Sequence, residues 1–427
     1  MSGIGIWLVF LSAGLFYVIR HGSVARYSVA LFAFILSEVS LALNFGESLY
    51  AYTWRNDVLT EGIVRSTSIQ YCWFLSGMLA AMFFFYKSHL RAFRRCASLA
   101  GAPFVRSKAD FWLIYVSGFA ALLLFSLYVV KGGLSAVTGE DLTDKYQGGA
   151  YGYLVMATYG FAIAFVAAEF TGSIRIKLWA RASALVLIIF SLLVLKARFL
   201  AASILFTGIY TGFIRKRITT ASLDFRSVIF FILLIVFVLL YPFLRNYLVD
   251  GFYGTDSLTL HDFLLITIAS SDIIHPFITT AELLSEIDVI QIYEISLVNY
   301  LKIISPASVF FNVGETEAQW FVRNFYPSLY ERGYGTGFSA VAGSIVYGGL
   351  AYGPVAYGFL TGLVLEVLCI RALAARSLTI SRILYLTGPL MFLFLERVGY
   401  MASLKTLVLI LLLTMVIRLS TRIILGK

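Results

Sequence analysis

Two short turns in this sequence place cations between long apolar stretches. The first turn, Lys196-Ala197-Arg198, is almost the whole connection between two apolar stretches. The second turn is Glu396-Arg397-Val398-Gly399-Tyr400, and Lys405 follows it in the next apolar stretch. Arginine presents a rigid fork of donors suited to phosphate oxygens, and lysine supplies a point charge. Because charge at membrane depth is costly, the cations of these two turns predict an anion-binding site. Arg245 is a weaker candidate for the same site. The alternative is that these side chains only anchor helix ends at the membrane interface.

The long polar segment between residues 245 and 340 offers a general base. Asp272 and His275 are three residues apart, so they are neighbours if the segment is helical. A histidine beside a carboxylate can accept a proton from a hydroxyl group or donate a charge-assisted hydrogen bond to a diphosphate. The candidate catalytic residues are His275, Asp272, Arg198 and Arg397. A structural hydrogen bond between the histidine and the aspartate is the alternative, and another acid of the same segment is a second candidate for the base.

The same segment also carries aromatic side chains around an arginine. Trp320, Arg323 and Tyr326 lie close together in the sequence, so a sugar ring could stack there while its hydroxyl groups are held. Arg332 and Tyr334 follow, where glycines begin to alternate with other residues. Such glycines let the backbone approach a ligand or another helix closely. The alternative interpretation is a loop that packs on itself through its aromatic rings.

Membrane-spanning helices must position these residues. The chain has 427 residues, 60% of them hydrophobic, and its mean hydropathy of +0.88 is far outside the range of soluble proteins. A spanning helix needs about 20 mainly apolar residues, and the sequence offers about eleven such stretches. The expected fold is an all-α polytopic membrane protein with about eleven transmembrane helices. The predicted spans are Ile4–Ile19, Tyr27–Phe45, Ile69–Tyr86, Phe111–Val130, Tyr151–Phe170, Ala182–Leu195, Phe199–Phe213, Ser227–Leu244, Val341–Ile370, Ile383–Leu395 and Ser403–Ile417.

Charge is sorted between alternate loops. If one set is assigned to the cytoplasm, it holds 21 of the 33 Lys and Arg residues and two acids, whereas the opposite loops hold 18 of the 23 acids. Membrane proteins retain positive charge on the cytoplasmic side, so we expect the N-terminus outside and the C-terminus in the cytoplasm. Residues 245–340 then form one large outer loop of amphipathic surface helices between spans 8 and 9. Residues 1–244 and 341–427 form spans 1–8 and 9–11 of a single membrane domain.

Composition and spacing exclude several other classes of protein. The net charge of +10 would suggest a nucleic-acid partner for a soluble protein, but no basic stretch interleaves with aromatics on a soluble element. We therefore expect no nucleic-acid partner. The three cysteines have no metal-ligand spacing, and neither a P-loop nor a dinucleotide fingerprint occurs. We expect no cofactor and no required metal.

One region of the sequence resembles a known family. Between roughly Ile304 and Leu363 the chain reads ISPASVF and then GYGTGFSAVAGSIVYGGLAYGPVAYGFLTGL. With the polytopic topology and one large outer loop, this stretch resembles the O-antigen and exopolysaccharide repeat-unit polymerases (Wzy type), which are membrane-embedded glycosyltransferases. Arg198 and Arg397 match arginines that the family carries at helix ends, whereas Gly343 stands where the family often has a glutamate. Within this stretch Gly348, Gly349, Gly353 and Pro354 are expected to break span 9 into a short outer helix and a full crossing.

The resemblance implies polymerisation of undecaprenyl-diphosphate-linked oligosaccharide repeat units on the outer face of the bacterial cytoplasmic membrane. The lipid diphosphate is the leaving group. The expected partners are the lipid-linked donor, the lipid-linked acceptor and membrane lipids. Whether a protein that regulates chain length is also a partner stays open. In this interpretation the diphosphate is bound by Lys196, Arg198, Arg245, Arg397 and Lys405.

Two alternatives stay open. An O-antigen ligase-type glycosyltransferase shares the topology and the chemistry, so the sequence separates it poorly from a polymerase. A lipid-linked glycan flippase or transporter belongs to a different class. Transporters usually show repeat symmetry and place paired charges near the bilayer midplane, whereas the unusual charges of this chain lie at the outer boundary.

Overall fold

The computed structural model describes about three fifths of the chain. The described residues are 2–21, 26–49, 60–98, 108–138, 150–169, 173–193, 274–286, 297–305, 315–331, 338–374 and 399–424, the last range without positions 402, 406, 418 and 421. They form helices and connections, with no strand among them. The expected all-α class is therefore confirmed for this part of the chain.

The described ranges contain thirteen helices. In chain order they are α1 (Ser2–His21), α2 (Tyr27–Leu49), α3 (Glu61–Phe84), α4 (Tyr86–Ser98), α5 (Lys108–Thr138), α6 (Ala150–Glu169), α7 (Ile174–Leu193), α8 (His275–Ser285), α9 (Leu297–Ile304), α10 (Glu317–Phe325), α11 (Pro327–Glu331), α12 (Ala340–Ala374) and α13 (Gly399–Ile424).

Six helices within the described ranges are long and apolar enough to cross a membrane: α1, α2, α3, α5, α12 and α13. Several carry large apolar side chains on their outer surface, among them Phe10 on α1 and Phe119 on α5, which are 70% and 69% exposed. Contiguous apolar surface of this kind is typical of contact with lipid. The part of the chain that the structure describes is therefore that of an all-α membrane protein. The predicted total of about eleven spans stays a prediction, and the spans drawn at 199–213, 227–244 and 383–395 lie outside the described residues.

Two helices begin earlier than hydropathy predicts. Helix α3 begins at Glu61 rather than at Ile69, because Thr60 caps it by accepting a hydrogen bond from the Ile63 N–H at 3.4 Å. Helix α7 begins at Ile174 rather than at Ala182, so the basic cluster from Arg175 onward lies within a helix and not in a loop. Arginine and lysine are good helix formers, which is why a hydropathy threshold places such starts too late.

The chain divides into two compact units, each built from three separated stretches. The first comprises Met1–Tyr86, Ile218–Glu294 and Thr336–Leu363, and the second comprises Lys87–Arg217, Ile295–Gly335 and Val364–Lys427. Each unit thus takes a part of the long predicted loop. The predicted divisions at residues 244 and 340 concern membrane topology, and they stay predictions.

A close helix crossing holds the first unit together. A Cβ atom added to Gly77 of α3 would collide with Val355 O of α12, and one added to Gly358 would collide with Phe74 O of α3. Gly362, four residues after Gly358, would meet Ala81 Cβ at 2.8 Å. Small residues at this spacing let membrane helices approach through their backbones. These glycines are therefore packing residues of the α3–α12 crossing.

The expected break in span 9 is confirmed at one glycine. Gly349 has φ 72° and ψ 171° inside α12, a backbone conformation that glycine adopts without steric cost. The break divides α12 into a short helical segment before Gly349 and a long one after it. That the short segment lies on the outer side of the membrane stays a prediction.

The second unit has its core between α6 and α13. Tyr159, Ile163 and Ala167 of α6 pack with Leu409, Leu413 and other buried residues of α13. Partly buried Ile114 and Val116 of α5 complete the cluster. Because this core fixes the position of α13, it also fixes the first turn of that helix, which begins at Gly399.

Candidate functional site

Helix α10 carries the predicted aromatic and arginine residues, and a capping box begins it. Thr316 Oγ1 accepts from the Gln319 N–H at 3.3 Å, and Gln319 Oε1 accepts from the Thr316 N–H at 2.9 Å. Reciprocal bonds of this kind satisfy two donors of the first helical turn. The Thr-x-x-Gln spacing was visible in the sequence and could have located this helix.

A buried carboxylate joins α10 to the start of α13. Glu317 is fully buried, and its Oε1 accepts from the Met401 N–H at 2.8 Å. Gly399 lies directly against that carboxylate with φ 83°, so any Cβ there would collide with Glu317 Oε1. A carboxylate at a helix N-terminus satisfies an unpaired backbone donor and complements the positive end of the helix dipole. We call the set Glu317, Gly399 and Met401 the α10–α13 junction.

Arg323 lies on the exposed side of α10 and pairs with Glu315. The two side chains are 3.1 Å apart between Nη2 and Oε2, and they are 52% and 23% exposed. Burial raises the pKa of Glu315 above its ordinary value, and the nearby Arg323 opposes that rise. An ion pair this exposed contributes less than about 1 kcal/mol, so an anionic or polyhydroxyl ligand can displace Glu315 from Arg323 at little cost.

The aromatic residues around Arg323 divide into two groups. Trp320 is 7% exposed and belongs to the buried face of α10. Phe321 is fully buried, stacks on Phe325 at 4.2 Å between ring centroids and contacts the half-buried Tyr326 at 6.2 Å. Of the predicted sugar-binding group, Arg323 is therefore exposed and Tyr326 half-buried, whereas Trp320 serves packing. Arg332 and Tyr334 lie outside the described residues.

The junction joins the arginine-bearing helix to α13, whose first residue, Gly399, belongs to the second predicted cationic turn. Lys405 lies one helical turn beyond Met401 on α13 and is half-buried, so both positions share one side of the helix. Gly399 follows Arg397 by two positions in the sequence. Seven predicted site residues lie outside the described residues: Lys196, Arg198, Arg245, Asp272, Arg332, Tyr334 and Arg397.

His275 begins α8, a helix that differs from the amphipathic surface helix expected there. His275 is half-buried, but the next eight residues, Pro276 to Leu283, are all buried. The helix packs against α2 and α3 within the first unit. Thr279, Thr280 and Glu282, which hydropathy assigns to a solvent face, are instead buried.

Hydrogen bonds of the Thr280 hydroxyl group, which we call the hydroxyl hub, explain how the polar middle of α8 can be buried. Thr280 Oγ1 donates to Pro276 O at 2.8 Å, since a carbonyl can only accept. It then accepts from Ser339 Oγ at 2.7 Å and from Tyr71 Oη at 3.3 Å. Ser339 Oγ in turn accepts from the Ala342 N–H at 2.8 Å, which caps the start of α12. Thr280 thus ties the helix that carries His275 to α3 and α12.

Replacing Thr280 with valine is expected to lower the free energy of unfolding by about 1–3 kcal/mol, because buried donors lose their acceptor. The neighbouring Thr279 is also buried and donates to the same carbonyl at 2.9 Å within its own helical turn. Thr279→Val is the matched control and should cost less than about 1 kcal/mol. Equilibrium unfolding in mixed micelles measures the free energy of unfolding of both variants. Equal losses would show that Thr280 does not act as the hub.

Candidate metal ligands do not converge in the part of the chain that the structure describes. Within it no group of three or more His, Cys, Asp or Glu side chains is placed to hold a metal ion. The cations and carboxylates described above are therefore the chemical groups from which a function can be argued.

No family model, curated protein or solved structure matches this chain. A function must therefore be argued from the α10–α13 junction and from the candidate site residues themselves.

Proposed function

We propose that this protein polymerises lipid-diphosphate-linked oligosaccharide repeat units into a polysaccharide, as a membrane-embedded glycosyltransferase. The proposed location is the outer face of a bacterial cytoplasmic membrane. The donor and the acceptor are both linked to undecaprenyl diphosphate. The observation that carries the proposal is the α10–α13 junction, which joins the segment that bears Arg323 to the helix that begins after Glu396-Arg397.

The chemistry needs cations for the leaving group and a base for the attacking group. A hydroxyl oxygen of the acceptor sugar forms a bond to the anomeric carbon of the donor, and the bond from that carbon to the diphosphate oxygen breaks. The hydroxyl proton passes to the base, and the lipid diphosphate leaves with the bonding electron pair. Fixed Arg and Lys side chains at the membrane boundary stabilise the charge that develops on the diphosphate. This mechanism requires neither a metal nor a nucleotide.

The proposed roles follow the side chains available. Arg198, Lys196 and Arg397 hold the diphosphate, with Lys405 and Arg245 as further cations. Arg323, which is exposed, and Tyr326, which is half-buried, hold sugar. The base is His275 or an acid of the same loop. Glu315 is such an acid, because its raised pKa makes the carboxylate a better proton acceptor than an ordinary glutamate.

Ligase activity is the second candidate function. Transfer of finished polymer to a different lipid acceptor would use the same outward-facing arginines and the same leaving group. The resemblance over Ile304–Leu363 favours the polymerase. Transport is a third and weaker candidate, because the sequence predicts the unusual charges near helix ends rather than at mid-span positions.

Arg198→Ala is expected to abolish polymer formation while leaving the protein in the membrane, because the leaving group loses its bidentate partner. The length of the surface polysaccharide in cells that carry each variant measures the effect. Arg65→Ala is the matched control, since Arg65 is an exposed arginine on α3 outside the proposed site, and it should leave chain length unchanged. Normal chain length in Arg198→Ala would remove that residue from the proposed site.

A further inference from the structure

Helix α4 has one strongly basic face. Its thirteen residues include four cations and no acid. Lys87, Arg91, Arg94 and Arg95 follow each other at spacings of four, three and one, which places all four positions on one side of an α-helix. Lys87 and Arg91 are exposed, and neither forms an ion pair within the described residues. Within the part of the chain that the structure describes, the charges of Lys87 and Arg91 are therefore not paired.

The opposite face of α4 is already occupied by protein. His89 and Ala92 are buried, and His89 Nε2 lies 3.3 Å from Cys369 Sγ of α12. This contact fixes the rotation of the helix about its own axis. Lys87 and Arg91 therefore lie on the side of α4 opposite His89, and both are exposed.

Two observations place α4 at the edge of the membrane. Its first residue, Tyr86, follows Phe84, the last residue of a candidate spanning helix, by two positions. Two residues extend over at most about 7 Å, so the first turn stays near the end of that span. Cys369, which His89 contacts, lies two residues before Arg371, the end of another candidate span. The middle of α4 therefore also lies at a membrane boundary.

We infer that the basic face of α4 binds the phosphate-bearing headgroups of anionic phospholipids. The helix lies at headgroup depth, its cations share one face, and no acid of α4 opposes them. A negatively charged headgroup supplies a counter-charge for Lys87 and Arg91. Each Lys or Arg near an anionic membrane surface gains about 1 kcal/mol of attraction. The inference concerns a lipid site and does not depend on the proposed polymerase activity.

A local fluorescence measurement tests this site in the full-length protein. Ser88 is exposed on α4, so an environment-sensitive dye is attached to Ser88→Cys in a Cys96→Ser background. The protein is reconstituted into bilayers that contain brominated phosphatidylglycerol or brominated phosphatidylcholine. Quenching of the dye reports which lipid lies beside α4. We expect several-fold stronger quenching by phosphatidylglycerol at low salt, and a weaker preference as salt is raised.

The double variant Lys87→Gln/Arg91→Gln is expected to reduce the preference for phosphatidylglycerol about fivefold for each cation removed. Lys87→Arg/Arg91→Lys retains the charge and should retain the preference, which separates an effect of charge from an effect of misfolding. Equal quenching by the two lipids in the unsubstituted helix would overturn the inference. An unchanged preference in the double glutamine variant would overturn it as well.

Discussion

Replacing Glu317 with alanine is expected to lower the free energy of unfolding by about 2–3 kcal/mol. The variant removes a buried hydrogen bond, and a buried group left without its partner costs about 1–3 kcal/mol. It also leaves the Met401 N–H without its acceptor at the start of α13. Because the junction holds α10 against α13, we expect the variant to lose glycosyl-transfer activity even at temperatures where it stays folded.

Two variants separate the role of this carboxylate from a general effect of losing a glutamate. Glu331 is exposed at the end of α11, so Glu331→Ala should change stability by less than about 0.5 kcal/mol. Glu317→Gln keeps an acceptor oxygen and should lose less stability than the alanine variant. Thermal unfolding of the purified proteins measures all three. A Glu317→Ala protein as stable as Glu331→Ala would contradict the structural role of the junction.

Replacing Gly77 with alanine is expected to cost about 2 kcal/mol or more. The added Cβ would collide with Val355 O and lie 2.8 Å from Phe359 N, and both are backbone atoms of α12. Backbone cannot rotate away as a flexible side chain can, so the two helices must separate. Overpacking typically costs about 1–3 kcal/mol, and lost backbone contacts along the crossing add to it.

Gly62 supplies the matched control on the same helix. A Cβ at Gly62 meets nothing within 4 Å, so Gly62→Ala should be neutral or stabilise the helix by up to about 1 kcal/mol. The two variants carry the same chemical change on α3 and differ only in what surrounds it. If both have the same midpoint in a denaturant titration in mixed micelles, the close α3–α12 crossing does not exist.

Local sequence signals were sufficient for the first helices. Spans predicted at Ile4–Ile19 and Tyr27–Phe45 correspond to α1 and α2 within a few residues. Both are continuous apolar runs, for which length and composition alone decide the outcome. The kink at Gly349 was also predictable, since several glycines and a proline in one span give a local signal of their own.

The α10–α13 junction could not be predicted in the same way. Residues 245–340 hold eleven acids, and each of them alone suggests a solvated side chain. What distinguishes Glu317 is a backbone donor 84 residues away in the sequence. Such a partner becomes visible only when the fold has brought the two segments together.

The burial of α8 escaped prediction for a related reason. Its Thr-Thr-x-Glu polarity indicates a helix with one face in water. Thr280 is instead satisfied by Tyr71 and Ser339, which belong to other elements. A polar residue can be buried once its partners are present, and its own sequence neighbourhood does not reveal them.

The most direct test of the proposed function uses purified protein reconstituted into a bilayer. It is supplied with a synthetic undecaprenyl-diphosphate-linked oligosaccharide repeat unit, and the products are resolved by size. We predict a ladder whose steps equal one whole repeat unit, present with the unsubstituted protein and absent with Arg198→Ala. Folded protein that yields no ladder from a matched repeat unit would contradict the polymerase, and transfer to a different lipid acceptor would then identify a ligase.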